Sequence, residues 1–135
     1  GMDENYTEIE HTADWSIRVN GKSLEDLFRN ASLGLYALSG VELNMTPASD
    51  KKLELEAHDM ESLLVSFLEE ALFMLEVENL GFQVPEISID GNRLKASLVN
   101  YEIIKLEKEI KAVTFAGLKI LRTPDGYSVN IVFDV

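Results

Sequence analysis

Asp59-Met60-Glu61-Ser62-Leu63-Leu64-Val65-Ser66-Phe67-Leu68-Glu69-Glu70-Ala71-Leu72-Phe73-Met74-Leu75 is the stretch that decides the fold. At 100° per residue, Met60, Leu63, Leu64, Phe67, Leu68, Ala71, Leu72, Met74 and Leu75 crowd onto one broad face, as in a helix that anchors a core. Asp59 stands where an N-cap carboxylate would accept the free N–H groups of the first turn. Gly81 is placed to end the helix. Two residues do not fit the stripe. Phe73 and Val77 project at about 220° and 260° from Met60, one turn apart and beside Glu69, Glu70 and Glu76. Either a loop or strand from the second half covers this pair, or it is the apolar centre of a docking patch with an acidic rim.

Upstream of the helix the period is two. Trp15, Ile17 and Val19 alternate with Ser16, Arg18 and Asn20 as a half-buried strand, and Asn20-Gly21 turns the chain. Ser23 with Asp26 three residues on resembles a capping box, after which Leu24, Leu27, Phe28, Ala31, Leu35 and Leu38 form one helical stripe closed by Ser39-Gly40. Residues 44–52 read as a loop, and Leu53, Leu55 and Ala57 as a short strand. Downstream, Ile87 and Ile89, an Asp90-Gly91 hairpin signal, and Leu94, Ala96 and Leu98 return to period two. More strand follows around Ile110 to Leu121, then a Pro124-Asp125-Gly126 turn, then Tyr127, Val129, Ile131 and Phe133. Two helices and six to eight hairpin-linked strands predict an α+β domain, a two-layer sandwich with the helices packed on an antiparallel or mixed sheet.

The chain has 135 residues, 46% of them hydrophobic, which is one domain's length with enough apolar side chains for an ordinary core. Gly1 ahead of Met2 reads as an expression scar, so the expected domain is 2–135. With no cysteine, thiol, disulfide and Cys-based zinc chemistry are excluded. Lys and Arg total 12 against 24 Asp and Glu, and a net charge of −12 repels phosphate, so unaided binding to nucleic acid is not expected. No apolar run approaches a membrane span, and the acidic N-terminus is unlike a secretory signal; a cytoplasmic protein without membrane attachment is expected.

Chemistry must come from few residues. GxGxxG, P-loop and HExxH patterns are missing, and His11 and His58 have no zinc-pair spacing. His58, next to the cap, reads as a loop residue without a role. His11 either orients Asp14 or a ligand, or is a structural turn histidine. Asp14 opens a strand, and Asp134 closes the last one beside the carboxylate of Val135, facing away from the apolar set. Such oxygen donors suit Ca²⁺ or Mg²⁺ if folding gathers them, although with 24 carboxylates chance placement is the competing explanation. A small hydrolase using His11 with Asp14 or Asp134 ranks below a binding role, because no nucleophile elbow or oxyanion-hole motif accompanies them. The expectation is not an enzyme.

Several blocks in order along the chain raise a resemblance: Glu10-His11-Thr12-Ala13-Asp14; Lys22-Ser23-Leu24-Glu25-Asp26 with Asn30-Ala31 and Gly34-Leu35; Asp59-Met60-Glu61-Ser62-Leu63-Leu64; Glu109-Ile110-Lys111-Ala112-Val113-Thr114-Phe115 with Gly117-Leu118; and Val132-Phe133-Asp134-Val135. Together they resemble the archease family. The resemblance implies a cytoplasmic accessory protein that binds a divalent metal and stimulates guanylylation and turnover of a GTP-dependent RNA-splicing ligase, meeting RNA only through that partner. It assigns Asp14, Asp134 and Val135 to the metal site and matches Lys111 to a basic functional position; Lys111 and His11 are the candidate partner or phosphate contacts. The other function it leaves open is a chaperone-like modulator of another RNA-processing enzyme, such as an RNA methyltransferase. Phe115-Ala116-Gly117 stands where family members often carry Tyr-His-Gly.

Overall fold

The computed structural model describes residues 5–10 and 15–135. In chain order the elements are β1 (Tyr6–Glu10), β2 (Trp15–Gly21), α1 (Leu24–Ser39), β3 (Glu42–Glu56), α2 (Met60–Phe73), a π-helical turn (Met74–Glu78), β4 (Leu80–Asp90), β5 (Arg93–Lys105), β6 (Ala112–Thr114), β7 (Leu121–Thr123) and β8 (Gly126–Asp134). The α+β expectation holds. The strands divide between two antiparallel sheets, one ordered β1-β2-β8-β6 with β7 also on β8, the other β3-β5-β4. Because β2 lines one edge of β8, β6 and β7 share the other edge end to end, opposite residues 132–134 and 126–128.

The helices form where their caps and stripes require. Ser23 Oγ accepts the Asp26 N–H at 3.1 Å, and Asp59 Oδ1 accepts the Ser62 N–H at 2.7 Å. Those bonds satisfy N–H groups that have no partner within the helix and hold the Asp59 carboxyl below its usual range. Gly40 ends α1 in the left-handed conformation, φ 61°, where a side chain would be strained. Gly81 does not end the second helix. The α-helix gives way to the π-helical turn, and Asn79, at φ 57°, stops it. Gly81 instead lies in β4, where a Cβ would strike the Leu43 side chain.

Both helices touch both sheets. Helix α1 packs on β1, β2 and β8 and also on β4, while α2 meets β6 of one sheet and β3 of the other. The rings of Phe28, Phe67 and Phe82 sit in sequence at 5.8 Å centroid spacing, with Tyr36 edge-on to Phe82 at the same distance, so one apolar cluster joins the helices to β4. Tyr36 also accepts the Phe82 N–H on its hydroxyl at 2.9 Å, and burial pushes its phenol well above the ordinary range. Tyr36→Phe leaves that buried N–H without its acceptor, a loss of about 1–3 kcal/mol. Urea unfolding should register it as a lower midpoint with an unchanged slope; an unchanged midpoint would mean the N–H finds another partner.

Residues 44–52 are not a loop. They belong to β3, an edge strand that runs to Glu56 with register breaks around Leu43, Pro47 and Ser49. An edge strand tolerates proline, and these residues are polar because 44–50 are exposed. The two-residue loop of the β4–β5 hairpin is Gly91-Asn92, one position beyond the Asp90-Gly91 signal, with Gly91 at φ 60°. At the last turn Gly126 lies against the backbone of Gly21 and Lys22, a contact that leaves no room for a Cβ.

Candidate functional site

Three strands come together at one end of the larger sheet. Trp15, the first residue of β2, lies opposite Phe133, and Ala112, the first residue of β6, lies opposite Asp134. The Lys111 N–H donates to the Asp134 carbonyl at 2.8 Å, extending the ladder by one bond. Alternation along β8 buries Val129, Ile131 and Phe133 and turns Asp134 outward, as the sequence pattern requires. The carboxylate of Asp134 and the side chain of Lys111 are exposed, and neither forms an ion pair with another described residue. Val135 is exposed beyond them. The main chains of Lys111, Asp134 and Val135 are therefore neighbours. His11 and Asp14 lie outside the described residues. Among the described residues, no group of three or more His, Asp or Glu is placed to hold a metal.

One participant was not legible in the sequence. The ammonium of Lys108 rests over the ring of Trp15, binding the segment between β5 and β6 to the start of β2. The same segment is pinned from behind, where the N–H groups of Glu107 and Lys108 both donate to the Ser39 carbonyl at the end of α1. The only sequence signal was the clustering of Lys105, Lys108 and Lys111 in a chain otherwise dominated by acids. His58 is exposed, and its carbonyl accepts the Asn92 side-chain amide at 2.8 Å, in keeping with a loop residue.

Phe73 and Val77 are 49% and 59% exposed. No described loop or strand covers them, so the covering alternative is set aside. The pair straddles the change from α-helix to π-helical turn, a kind of irregularity that recurs at functional sites. Glu69 and Glu76 are exposed nearby, while Glu70 is drawn to Lys51 of β3 at 2.7 Å.

The model of the archease protein family matches residues 6–135. The chain belongs to the archease family. Among its relatives, the archease of Thermococcus gammatolerans is 36% identical over 125 residues, covering 87% of this chain and 88% of that protein. The archease of Methanosarcina barkeri is 32% identical over 143 residues, covering 98% and 97%. Two solved structures share the archease fold seen here. A crystal structure from Thermotoga maritima, described as an archease and possible chaperone, is 30% identical with a TM-score of 0.68, covering 94% of each chain. A solution structure of a protein from Methanobacterium thermoautotrophicum is 25% identical with a TM-score of 0.74, covering 98% of this chain and 99% of that one.

Proposed function

We propose that this archease-family chain is an accessory protein that binds a divalent cation, Ca²⁺ or Mg²⁺, and stimulates guanylylation and turnover of a GTP-dependent RNA-splicing ligase. The observation that carries the reading is the convergence of β2, β8 and β6 at one sheet end. It makes Asp134, Val135 and Lys111 neighbours and begins β2 at the residue after Asp14. Exposed carboxylate and main-chain oxygens are the hard donors that such cations take, and the Asp134 carboxylate is not committed to an ion pair with any described residue. Asp14, Asp134 and Val135 would hold the cation, whose positive charge would favour contact with phosphate oxygens. Lys111 brings a second positive charge to that sheet end, and His11, outside the described residues, would be a further contact for the partner.

Charge supports a protein partner over free RNA. A chain at −12 is steered toward a basic surface, such as the phosphate-holding cleft of an RNA ligase, with a rate that falls as salt rises. The description of the Thermotoga maritima relative as a possible chaperone fits an assisting role. Phe73 and Val77 supply apolar contact within an acidic surround, the composition of a docking anchor for such a partner.

Reconstitution tests the reading. Guanylylation of the host's RNA ligase, followed by transfer of label from GTP, should accelerate when this chain is added and should slow again in a chelator. Phe73→Ala should reduce that stimulation about tenfold, the loss of one apolar anchor, while moving thermal stability little because Phe73 is half exposed. A chain that leaves the ligase unchanged at every concentration sinks the proposal. A large stability loss in Phe73→Ala would make that residue core and withdraw the docking role.

A further inference from the structure

We infer that the cavity between the end of α2 and the segment before β6 receives an apolar side chain carried on a basic stretch of the partner protein. This deepens the accessory reading and rests on it for the partner's existence. The cavity holds about 200 Å³. Its buried lining is Leu72 and Leu75 from the helix end with Ile110 from the later segment, and the exposed Leu106 stands at its mouth. For scale, an apolar cavity of about 150 Å³ already accepts benzene, so a leucine, methionine or phenylalanine side chain is of suitable size.

The rim says what should surround that side chain. Glu76 and Glu109 stand at the mouth, are exposed, and have no ion-pair partner among the described residues. Lys108, the one cation of the rim among the described residues, rests over Trp15 and forms no ion pair with either carboxylate. An occupant flanked by Arg or Lys would meet unpaired carboxylates, and one flanked by acids would be repelled. A second copy of this chain, also at −12, is for the same reason a poor occupant.

Position gives the cavity its meaning. Ile110 lines it, and the next residue, Lys111, bonds to Asp134 at the converging sheet end. Lys108 lines it and touches Trp15, which pairs beside Phe133. A side chain seated there would hold the 106–111 segment from below and fix the partner beside Lys111 and Asp134.

The test uses the whole chain and defined probes, short amidated peptides with two lysines on each side of a central phenylalanine, leucine or alanine. In amide NMR titrations the phenylalanine peptide should bind at least about tenfold tighter than the alanine peptide, which corresponds to about 1.4 kcal/mol. Shifts should concentrate at Ser39, Leu75, Asn79, Leu106 and Ile110. The exposed double variant Glu76→Lys, Glu109→Lys should weaken all three peptides, and Leu106→Trp, filling the mouth, should remove the preference for phenylalanine. Equal affinity for the phenylalanine and alanine peptides, or shifts that avoid these residues, overturns the inference even if Leu106→Trp misfolds, because the unaltered chain supplies both readouts. Neither ligase nor metal enters this experiment. Its failure leaves the accessory reading standing, and intact peptide preference without ligase stimulation counts against that reading alone.

Discussion

With Asp134 a ligand of the proposed cation site, Asp134→Asn should weaken divalent-cation affinity by at least about 10–100-fold. Changing groups that merely support a metal ligand already costs 10–100-fold, and a direct carboxylate ligand should matter no less. The amide preserves shape and leaves the main-chain bond from Lys111 untouched. Since the side chain is exposed and outside the core, stability without cation should stay within about 0.5 kcal/mol of the parent. Calorimetric titration with Ca²⁺ and Mg²⁺ reads the first quantity and thermal unfolding in chelator the second. Ligase stimulation should fall in parallel with cation affinity. An affinity left unchanged by the substitution removes Asp134 from the metal site.

The second large effect lies in the core. Phe67→Ala should destabilise the chain by about 3–5 kcal/mol, the range for emptying a buried aromatic position. Phe67 is fully buried and is the middle member of the ring sequence from Phe28 to Phe82, so its removal opens a void between α1, α2 and β4 at once. Relaxation from one side cannot close such a void. Denaturant unfolding should show the loss as a lower midpoint, in contrast to the near silence expected of Phe73→Ala on the opposite flank of the same helix. Similar losses for the two variants would mean that the helix is covered on both sides.

Features set by local chemistry were legible in the residues. Ser23, Gly40 and Asp59 act within one helical turn of themselves, and the apolar stripes of α1 and α2 follow from spacing alone. What escaped depends on partners distant in sequence. The polar run around Pro47 looks like a loop until β5 is beside it, because residues 44–50 are exposed and lack the apolar alternation that Leu53 and Leu55 show later in the same strand. Asn79 rather than Gly81 ended the helix because the last turn widened, and no side chain announces a π-helical turn. Asn100 is another such case. It takes an inward position on β5 after Leu94, Ala96 and Leu98, with its amide on Ser49 Oγ at 3.1 Å and its carbonyl oxygen unpaired among the described residues.

The candidate site divides along the same line. The outward turn of Asp134 follows from strand alternation, and its place beside Lys111 required the pairing of β6 with β8. The stacking of Lys108 on Trp15 joins residues more than ninety apart, and the cavity needs Leu72 and Leu75 to meet Leu106 and Ile110. Periodicity describes one element at a time and carries no information about such meetings.

The end-to-end sharing of one edge of β8 by β6 and β7, with β2 along its other edge, has a consequence for how the chain is made. A ribosome delivers β8, the strand that joins β2 to β6 and β7, after the other described elements. Until about residue 133 emerges, β2 has β1 on one side only, and the faces of α1 and α2 that rest on this sheet wait without their cover. Joining β2 to β8 closes a loop of more than a hundred residues, so the decisive pairing is also among the most distant in sequence. Nascent chains halted before β8 should therefore be protease-sensitive throughout the larger sheet and prone to associate through its open edge.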